Sequence, residues 1–467
     1  MNFPLAKRIS RDVGLCRGIY WLYPPALTWR PIAFERVKAC WSEFLAQRHE
    51  ERFGVDLHIN IPFCTEEPLF CDYIHVSQIR PWQYDAYLGC LEKEIRILEL
   101  PTGMRIQRLF FTGGSATLLS PSQIERLFSL LHRCFRIESP EVTIEVDHCP
   151  APPETLRAFS ENGVRRLIFG VQSLQPELAK SLKWKQDRKN ITKTMSDIRR
   201  AGIPLIRINL MAGLPAQTQA SFVSDLKFIL NLNPGAVILM PFTPAAYPPL
   251  FCSAPPLRFH YSNALTPREI VRRASLFALG RSMIGQARLP ACSDQDWIGG
   301  FSSQLCLGFG SLSRIRGHLL YRSGPNYREY RNRLQEGNPP PTVGCPMNGD
   351  REMRSYVIRE IECPGLVRKN EFRRLFRNDF KNVFGRELSH LGGVSDLRDS
   401  PQFWDLSRRS SLERALFAKF FYEPAITRLF REAYRKRPVR EERVNKQLLQ
   451  LYCLSPLVKN DSGAAYS

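Results

Sequence analysis

Leu57-His58-Ile59-Asn60-Ile61-Pro62-Phe63-Cys64-Thr65-Glu66-Glu67-Pro68-Leu69-Phe70-Cys71 is the stretch whose reading decides the rest. Leu57, Ile59 and Ile61 alternate with polar residues, the period of a strand with one buried face. Pro62 ends the alternation, and the strand runs into a loop that carries Cys64 and Cys71. Taken alone, two such thiols are most simply packed side chains, since free cysteine behaves as a small hydrophobe.

Similar apolar stretches follow at Ile106 to Phe111, Val142 to Val146, Arg166 to Phe169, Leu205 to Leu210 and Ala236 to Met240. Helical patterns separate them. Tyr84, Tyr87, Leu91, Ile95 and Leu98 share one face, and Ser120 opens a helix with Ile124, Leu127, Leu131 and Phe135 inward. Further helices are expected over 153–162, 175–183, 188–201 and 219–231. Strands alternating with helices in this way imply a parallel α/β architecture. A closed eightfold barrel needs about two more units than the pattern supplies. The alternation stops at Pro241, where Pro244, Pro248, Pro249, Pro255 and Pro256 break regular structure. The expected organisation is an N-terminal arm over 1–54, a β/α core over 55–250 and a core extension with linker over 251–340. A mostly helical C-terminal domain over 341–454 and a flexible tail over 455–467 complete it.

Composition bounds the function. The 467 residues are 43% apolar and 11% aromatic, enough for a sizeable core. No apolar run is long enough to span a membrane. The N-terminus lacks the apolar segment of a secretory signal, and cytoplasm is expected ahead of a short Arg-bearing transit peptide. Thirteen cysteines without a tight framework argue for a reducing compartment. The net charge of +21 favours an anionic partner, whether nucleic acid, an acidic surface or a ligand with several carboxylates.

In parallel β/α folds, chemistry gathers at the carboxyl ends of strands. Those ends carry Cys64 and Cys71, then Thr112-Gly113-Gly114-Ser115-Ala116-Thr117, Glu145, Gly170-Val171-Gln172, Asn209 with Gly213-Leu214-Pro215, and Phe242-Thr243. Together they resemble the radical SAM enzymes, in particular the oxygen-independent coproporphyrinogen III oxidases. There the first loop reads Tyr-x-His-Ile-Pro-Phe-Cys-x3-Cys-x-Phe-Cys, matched here by Ile61, Pro62, Phe63, Cys64, Phe70 and Cys71. Phe110 to Ser120 and Ile208 to Thr218 follow two further motifs of that family in the same order. The resemblance implies a partial (β/α)6 barrel, a 4Fe-4S cluster and S-adenosylmethionine (SAM). Cys64 and Cys71 are then metal ligands, and His58, Gly113, Gly114, Glu145, Gln172, Trp184, Asn209 and Thr243 fall at cofactor-binding positions. At Gly113 and Gly114 the missing side chains would let backbone amides approach the amino-acid end of SAM.

Three departures stand in the signature itself: His58 replaces Tyr, Asn60 replaces His, and Pro68 replaces the middle Cys. Two more follow, Trp184 for Arg and Asn209 for Asp. Proline has no donor atom, so the implied three-thiolate set is incomplete; His58, His75, Cys90 and Cys149 are alternative third ligands. No residue is singled out as catalytic. The expectation is a degenerate paralogue that binds a tetrapyrrole or an unidentified partner, without conventional radical activity. The alternatives are an active SAM enzyme with an atypical ligand, decarboxylating coproporphyrinogen III, and a basic scaffold that binds nucleic acid through Arg428 to Lys446. His148-Cys149 reads as a loop pair ahead of an axial haem ligand pair.

Overall fold

The computed structural model describes residues 23–25, 28–49, 54–65, 76–77, 80–137, 142–146, 151–181, 186–214, 216–241, 267–289, 301–324, 326–362, 364–389, 397–407, 414 and 417–435. Its main sheet has eleven strands. In chain order they are β1 (Arg30–Pro31), β2 (Val55–Ile61), β3 (Arg108–Gly113), β4 (Val142–Val146), β5 (Val164–Gln172), β6 (Leu205–Ala212), β7 (Ala236–Pro241), β8 (Ser303–Leu307), β9 (Leu312–Ile315), β10 (Leu319–Ser323) and β11 (Thr342–Pro346). Across the sheet the order is β1-β11-β10-β9-β8-β2-β3-β4-β5-β6-β7.

From β2 to β7 the strands are parallel and sequential, the arrangement of an open barrel of six β/α units. On the other flank of β2, β8 adds a seventh parallel strand, and β9, β10, β11 and β1 continue antiparallel. Part of the segment expected as a core extension with linker over 251–340 therefore extends the sheet. Pro31 ends up on its edge strand, paired with Val343.

The helices are α1 (Phe34–Ala46), α2 (Pro81–Leu98), α3 (Pro121–Cys134), α4 (Pro153–Glu161), α5 (Pro176–Ser181), α6 (Arg188–Arg200), α7 (Gln219–Asn231), α8 (Pro267–Gln286) and α9 (Tyr327–Gln335). Local chemistry sets their ends. Ser120 Oγ accepts from Gln123 N at 3.3 Å, and Gln123 Oε1 accepts from Ser120 N at 3.0 Å. This reciprocal cap precedes Pro121 at the first helical position, where its missing N–H costs nothing. Ile124, Leu127 and Leu131 face inward as their spacing predicts. Phe135 instead leaves the helix and pairs with Met104 in a short parallel ladder.

One large apolar core lies between the parallel strands and their helices, through Leu57, Ile59, Ile61, Phe111, Ile144 and Ile208. A second core belongs to a C-terminal unit of α10 (Gly349–Glu362), α11 (Lys369–Phe376), α12 (Phe380–Ser389) and α13 (Pro424–Arg435). That unit also has a three-stranded sheet, Leu366–Arg368, Phe403–Asp405 and Arg398–Asp399. The two cores meet at Arg316, which bonds Glu352 at 2.8 Å and lies 3.4 Å from the Phe301 ring centre. Among the described residues no helix is long and apolar enough to cross a membrane.

A buried polar cluster ties β8 to β2. Glu94 on α2 accepts from Gly308 N at 2.8 Å, Tyr330 Oη at 2.7 Å and Ser323 Oγ at 3.1 Å. Tyr87, earlier on the same helix, donates to Asn60 O at 2.6 Å and accepts from Phe309 N at 3.0 Å. Burial raises the Glu94 carboxyl above its ordinary value, and its three donors oppose that shift. Glu94→Ala strands Gly308 N and Tyr330 Oη, while Ser323 Oγ keeps Gly308 O at 3.2 Å, and should cost about 3 kcal/mol in urea unfolding. A loss below about 1 kcal/mol would show that the turn after β8 is held by something else.

Candidate functional site

Each parallel strand divides its side chains between two faces. On β2, Leu57, Ile59 and Ile61 enter the apolar core, which leaves Asp56, His58 and Asn60 on the other side of the sheet. Register extends this inner face across the neighbours. Asn60 pairs with Thr112, Glu145 with Ile168, Ile168 with Arg207, and Arg207 with Ala236. One level down, Cys306, His58 and Phe110 lie side by side. One level up, Asn209 pairs with Gly170. The inner face is polar yet shielded: His58 is 7% exposed, Asn209 4% and Arg207 1%.

At the carboxyl end of β2 the chain is stitched to the turn after β3. Gly114 N donates to Ile61 O at 2.7 Å, and Ser115 N donates to Phe63 O at 2.8 Å. The two glycines are demanded by these approaches. A Cβ on Gly113, whose φ is +107°, would meet Asn60 Oδ1 at 1.8 Å. A Cβ on Gly114 would lie 2.3 Å from Phe63 O and 2.8 Å from the Cys64 sulfur. The turn thus seats Cys64, buried at 6% exposure, and commits the Gly114 amide to Ile61.

Further round, Thr112 Oγ1 donates to Glu145 Oε2 at 2.8 Å. Gln172 takes a left-handed conformation with φ +59°, and its buried Oε1 has no hydrogen-bond partner. The bend beyond it is fixed by Asp225 on α7, fully buried, which accepts from Ser173 Oγ at 2.9 Å and Leu174 N at 3.0 Å. On β6, Arg207 Nε donates to Asn209 Oδ1 at 3.0 Å, so the partner at 209 is a neutral amide. Sequence reasoning missed Arg207, Asp225 and Cys306. Arg207 was accessible to it, since it stands two residues before Asn209 on one strand face.

The structure therefore brings His58, Gly113, Gly114, Glu145, Gln172, Asn209 and Cys64 onto one face and one end of the parallel sheet. Cys71, Pro68, Trp184, Thr243, His75, His148 and Cys149 lie outside the described residues. Cys90 is buried on α2, where burial pushes its thiol up to about 11. Such a thiol is protonated at neutral pH. Among the described residues no three His, Cys, Asp or Glu side chains are grouped to hold a metal ion. A cubane held by three thiolates thus finds Cys64 in place, Cys71 in the sequence, and a proline without donor atoms at the middle position. The signature thus supplies two of the three thiolates that the family pattern places there.

His58 is kept neutral. Burial lowers its pKa to about 4, aided by Arg108 and opposed by Asp56; its Nε2 has no hydrogen-bond partner and its ring meets Phe110 edge-on at 5.2 Å. Below the ordinary value of 6.5 the unfolded chain takes up a proton that the folded chain refuses, so this group removes stability as pH falls from about 6.5 to about 4. His58→Gln should flatten the acid limb of urea stability over that window by up to about 3 kcal/mol. Parallel loss of stability in both proteins would mean that His58 is not a buried neutral imidazole.

Comparison with known proteins places this geometry. The family model described as Radical SAM superfamily matches residues 61–229. The oxygen-independent coproporphyrinogen III oxidase of Escherichia coli (strain K12) is 33% identical over 415 residues, covering 83% of this chain and 89% of that protein. The enzyme of the same name from Salmonella typhimurium is 27% identical over 369 residues, 74% of this chain and 80% of the other. In fold, the chain is similar to the solved structure of coproporphyrinogen III oxidase (HemN) from Escherichia coli, itself described as a radical SAM enzyme. The TM-score is 0.71 at 21% identity, with 85% of this chain and 95% of that one covered. The ordered strand-end motifs and the one-third identity to a full-length relative lead to one conclusion: the chain belongs to the radical SAM superfamily, among the oxygen-independent coproporphyrinogen III oxidase-like proteins.

Proposed function

We propose that this chain is a degenerate paralogue of the coproporphyrinogen oxidases that binds a carboxylate-bearing tetrapyrrole without conventional radical chemistry. Membership of the superfamily implies a 4Fe-4S cluster and SAM. The observation that carries the proposal is Pro68, which stands where the family pattern has its middle cysteine and has no atom to give a metal. Two thiolates leave two irons of a cubane without protein ligands, and such a cluster is labile.

The rest of the pocket supports the reading. At 209 an amide stands where the family pattern has a carboxylate, so Arg207 has a hydrogen bond there but no ion pair. At 58 a neutral, desolvated imidazole replaces a phenol. A buried guanidinium on the inner face suits a propionate, because its planar fork matches a carboxylate. The overall charge of +21 favours a ligand with several such groups. The relatives' own names attach them to coproporphyrinogen III. Retaining the ligand after losing the reaction is chemically consistent, because the cations that hold carboxylates are not the thiolates that hold iron.

Anaerobic iron–sulfide reconstitution tests the proposal. Wild type should retain well below the four irons per chain of a cubane held by three thiolates and release no 5′-deoxyadenosine from SAM, whereas Pro68→Cys should approach about four. Coproporphyrin should titrate to saturation on the wild type, and Arg207→Gln should weaken it about tenfold, the loss of one charge-assisted pair. A wild type that holds a full cluster and forms deoxyadenosine, with both lost in Cys64→Ala, would establish an active enzyme instead.

A further inference from the structure

The C-terminal unit has an order of elements that the β/α core does not use. After α10 come the strand Leu366–Arg368, α11, α12 and then two strands. The strand Leu366–Arg368 pairs with Phe403–Asp405, which also pairs with Arg398–Asp399, all antiparallel. Between α11 and α12 lies a three-residue turn, Arg377-Asn378-Asp379, with Arg377 left-handed at φ +55°. Two helices joined by so short a turn, braced by a small sheet, form a helix–turn–helix with a wing. Phe372 locks the pair, its ring 5.6 Å from Phe380 and 6.0 Å from Phe384.

The inner side of α12 is therefore spoken for. Phe380 and Phe384 are buried, and Phe384 also meets Phe421 at 5.4 Å. The helix bends at Phe384 without exposing it. Its outward positions are Lys381, Asn382, Gly385, Arg386 and Ser389, all exposed, with no carboxylate among them. A Cβ at Gly385 would meet nothing within 4 Å, so the surface there is open. The acids nearby are already engaged: Asp379 with Arg373 at 2.9 Å, Glu387 with Arg354 at 2.9 Å, and Asp399 with Lys369 and Lys381. From residue 366 to residue 389 there are seven basic residues and three acidic ones.

We infer that this unit docks duplex DNA, with the outward face of α12 in the major groove and Arg398 on the wing beside the backbone. A B-form major groove admits an α-helix, and in a helix–turn–helix the second helix is the one that enters. Lys, Asn, Arg and Ser are the side chains that donate to base edges and phosphates there. The A-form major groove is too narrow for a helix, so RNA duplexes do not share the site. This docking surface is separate from the inner face of the parallel sheet, and the tetrapyrrole reading neither supports nor requires it.

Fluorescence anisotropy with the full chain tests the inference. Wild type should bind a labelled DNA duplex of about 20 base pairs with log K falling linearly in log salt. Lys381→Glu with Arg386→Glu should weaken binding about tenfold or more at about 100 mM salt and flatten the salt slope by about 2. Arg133→Glu with Lys189→Glu applies the same charge change on α3 and α6 and should weaken it less than about threefold. The neutral pair Lys381→Gln with Arg386→Gln should give an intermediate loss with an unchanged thermal melt, which separates lost contacts from lost folding. Equal losses in both charge-reversed proteins, tighter binding of an RNA duplex, or no saturable binding by wild type would each overturn the inference.

Discussion

β2 is hydrogen-bonded on both edges by parallel partners, and that position forces one decision on the whole sheet. Its side chains alternate strictly, so Leu57, Ile59 and Ile61 can meet the helices only if Asp56, His58 and Asn60 share the inner face. Once β2 has chosen, the register of β3 and β8 places Thr112 and Cys306 on that same side. A slip of one residue would carry a carboxylate, an imidazole and an amide into an apolar core. The inner face is thus a by-product of packing before it is a pocket. It persists because the helices demand it, whatever chemistry happens there.

That dependence gives motifs of a catalytic family a structural task of their own, independent of any ligand set. Gly113 and Gly114 would be read as room for a cofactor. In this chain they are also room for Asn60, Phe63 and Cys64, and any side chain there would push the strand ends apart. Asp225 holds the bend beyond Gln172 through three hydrogen bonds, from Ser173, Leu174 and Gln175, and Glu94 holds the turn after β8 through three. Folding alone calls for such residues. A thiolate that holds iron carries no such packing role, and position 68, a proline in this chain, is where the family pattern places one.

The six β/α units were legible because each buries an apolar strand against an amphipathic helix, and periodicity reports that directly. The four antiparallel strands were not. In β9 and β10 the buried residues include Ser313, Arg314, Arg322 and Ser323, whose polarity hides the apolar alternation of a strand. Their satisfaction comes from far along the chain: Arg314 Nη1 donates to Ser355 Oγ at 2.5 Å, and Ser323 to Glu94. No local window contains those partners. The small sheet of the C-terminal unit was hidden for another reason, as strands of two or three residues carry too few alternations to register. Within the site, motif order identified the strand ends, whereas Cys306 needed the register of neighbouring strands.

The outermost strand, β1, is two residues long and ends in Pro31. A sheet margin normally offers a ladder of donors and acceptors to any extended chain that drifts past. Here the imino nitrogen of Pro31 has nothing to give, and the carbonyl of Trp29 already accepts from Arg30 Nη1 at 2.7 Å. The next amide, Ile32 N, is turned back to Thr342 O at 2.9 Å. An eleven-stranded sheet is thereby finished at this margin by a proline and a guanidinium, and a second copy finds no template there on which to continue it.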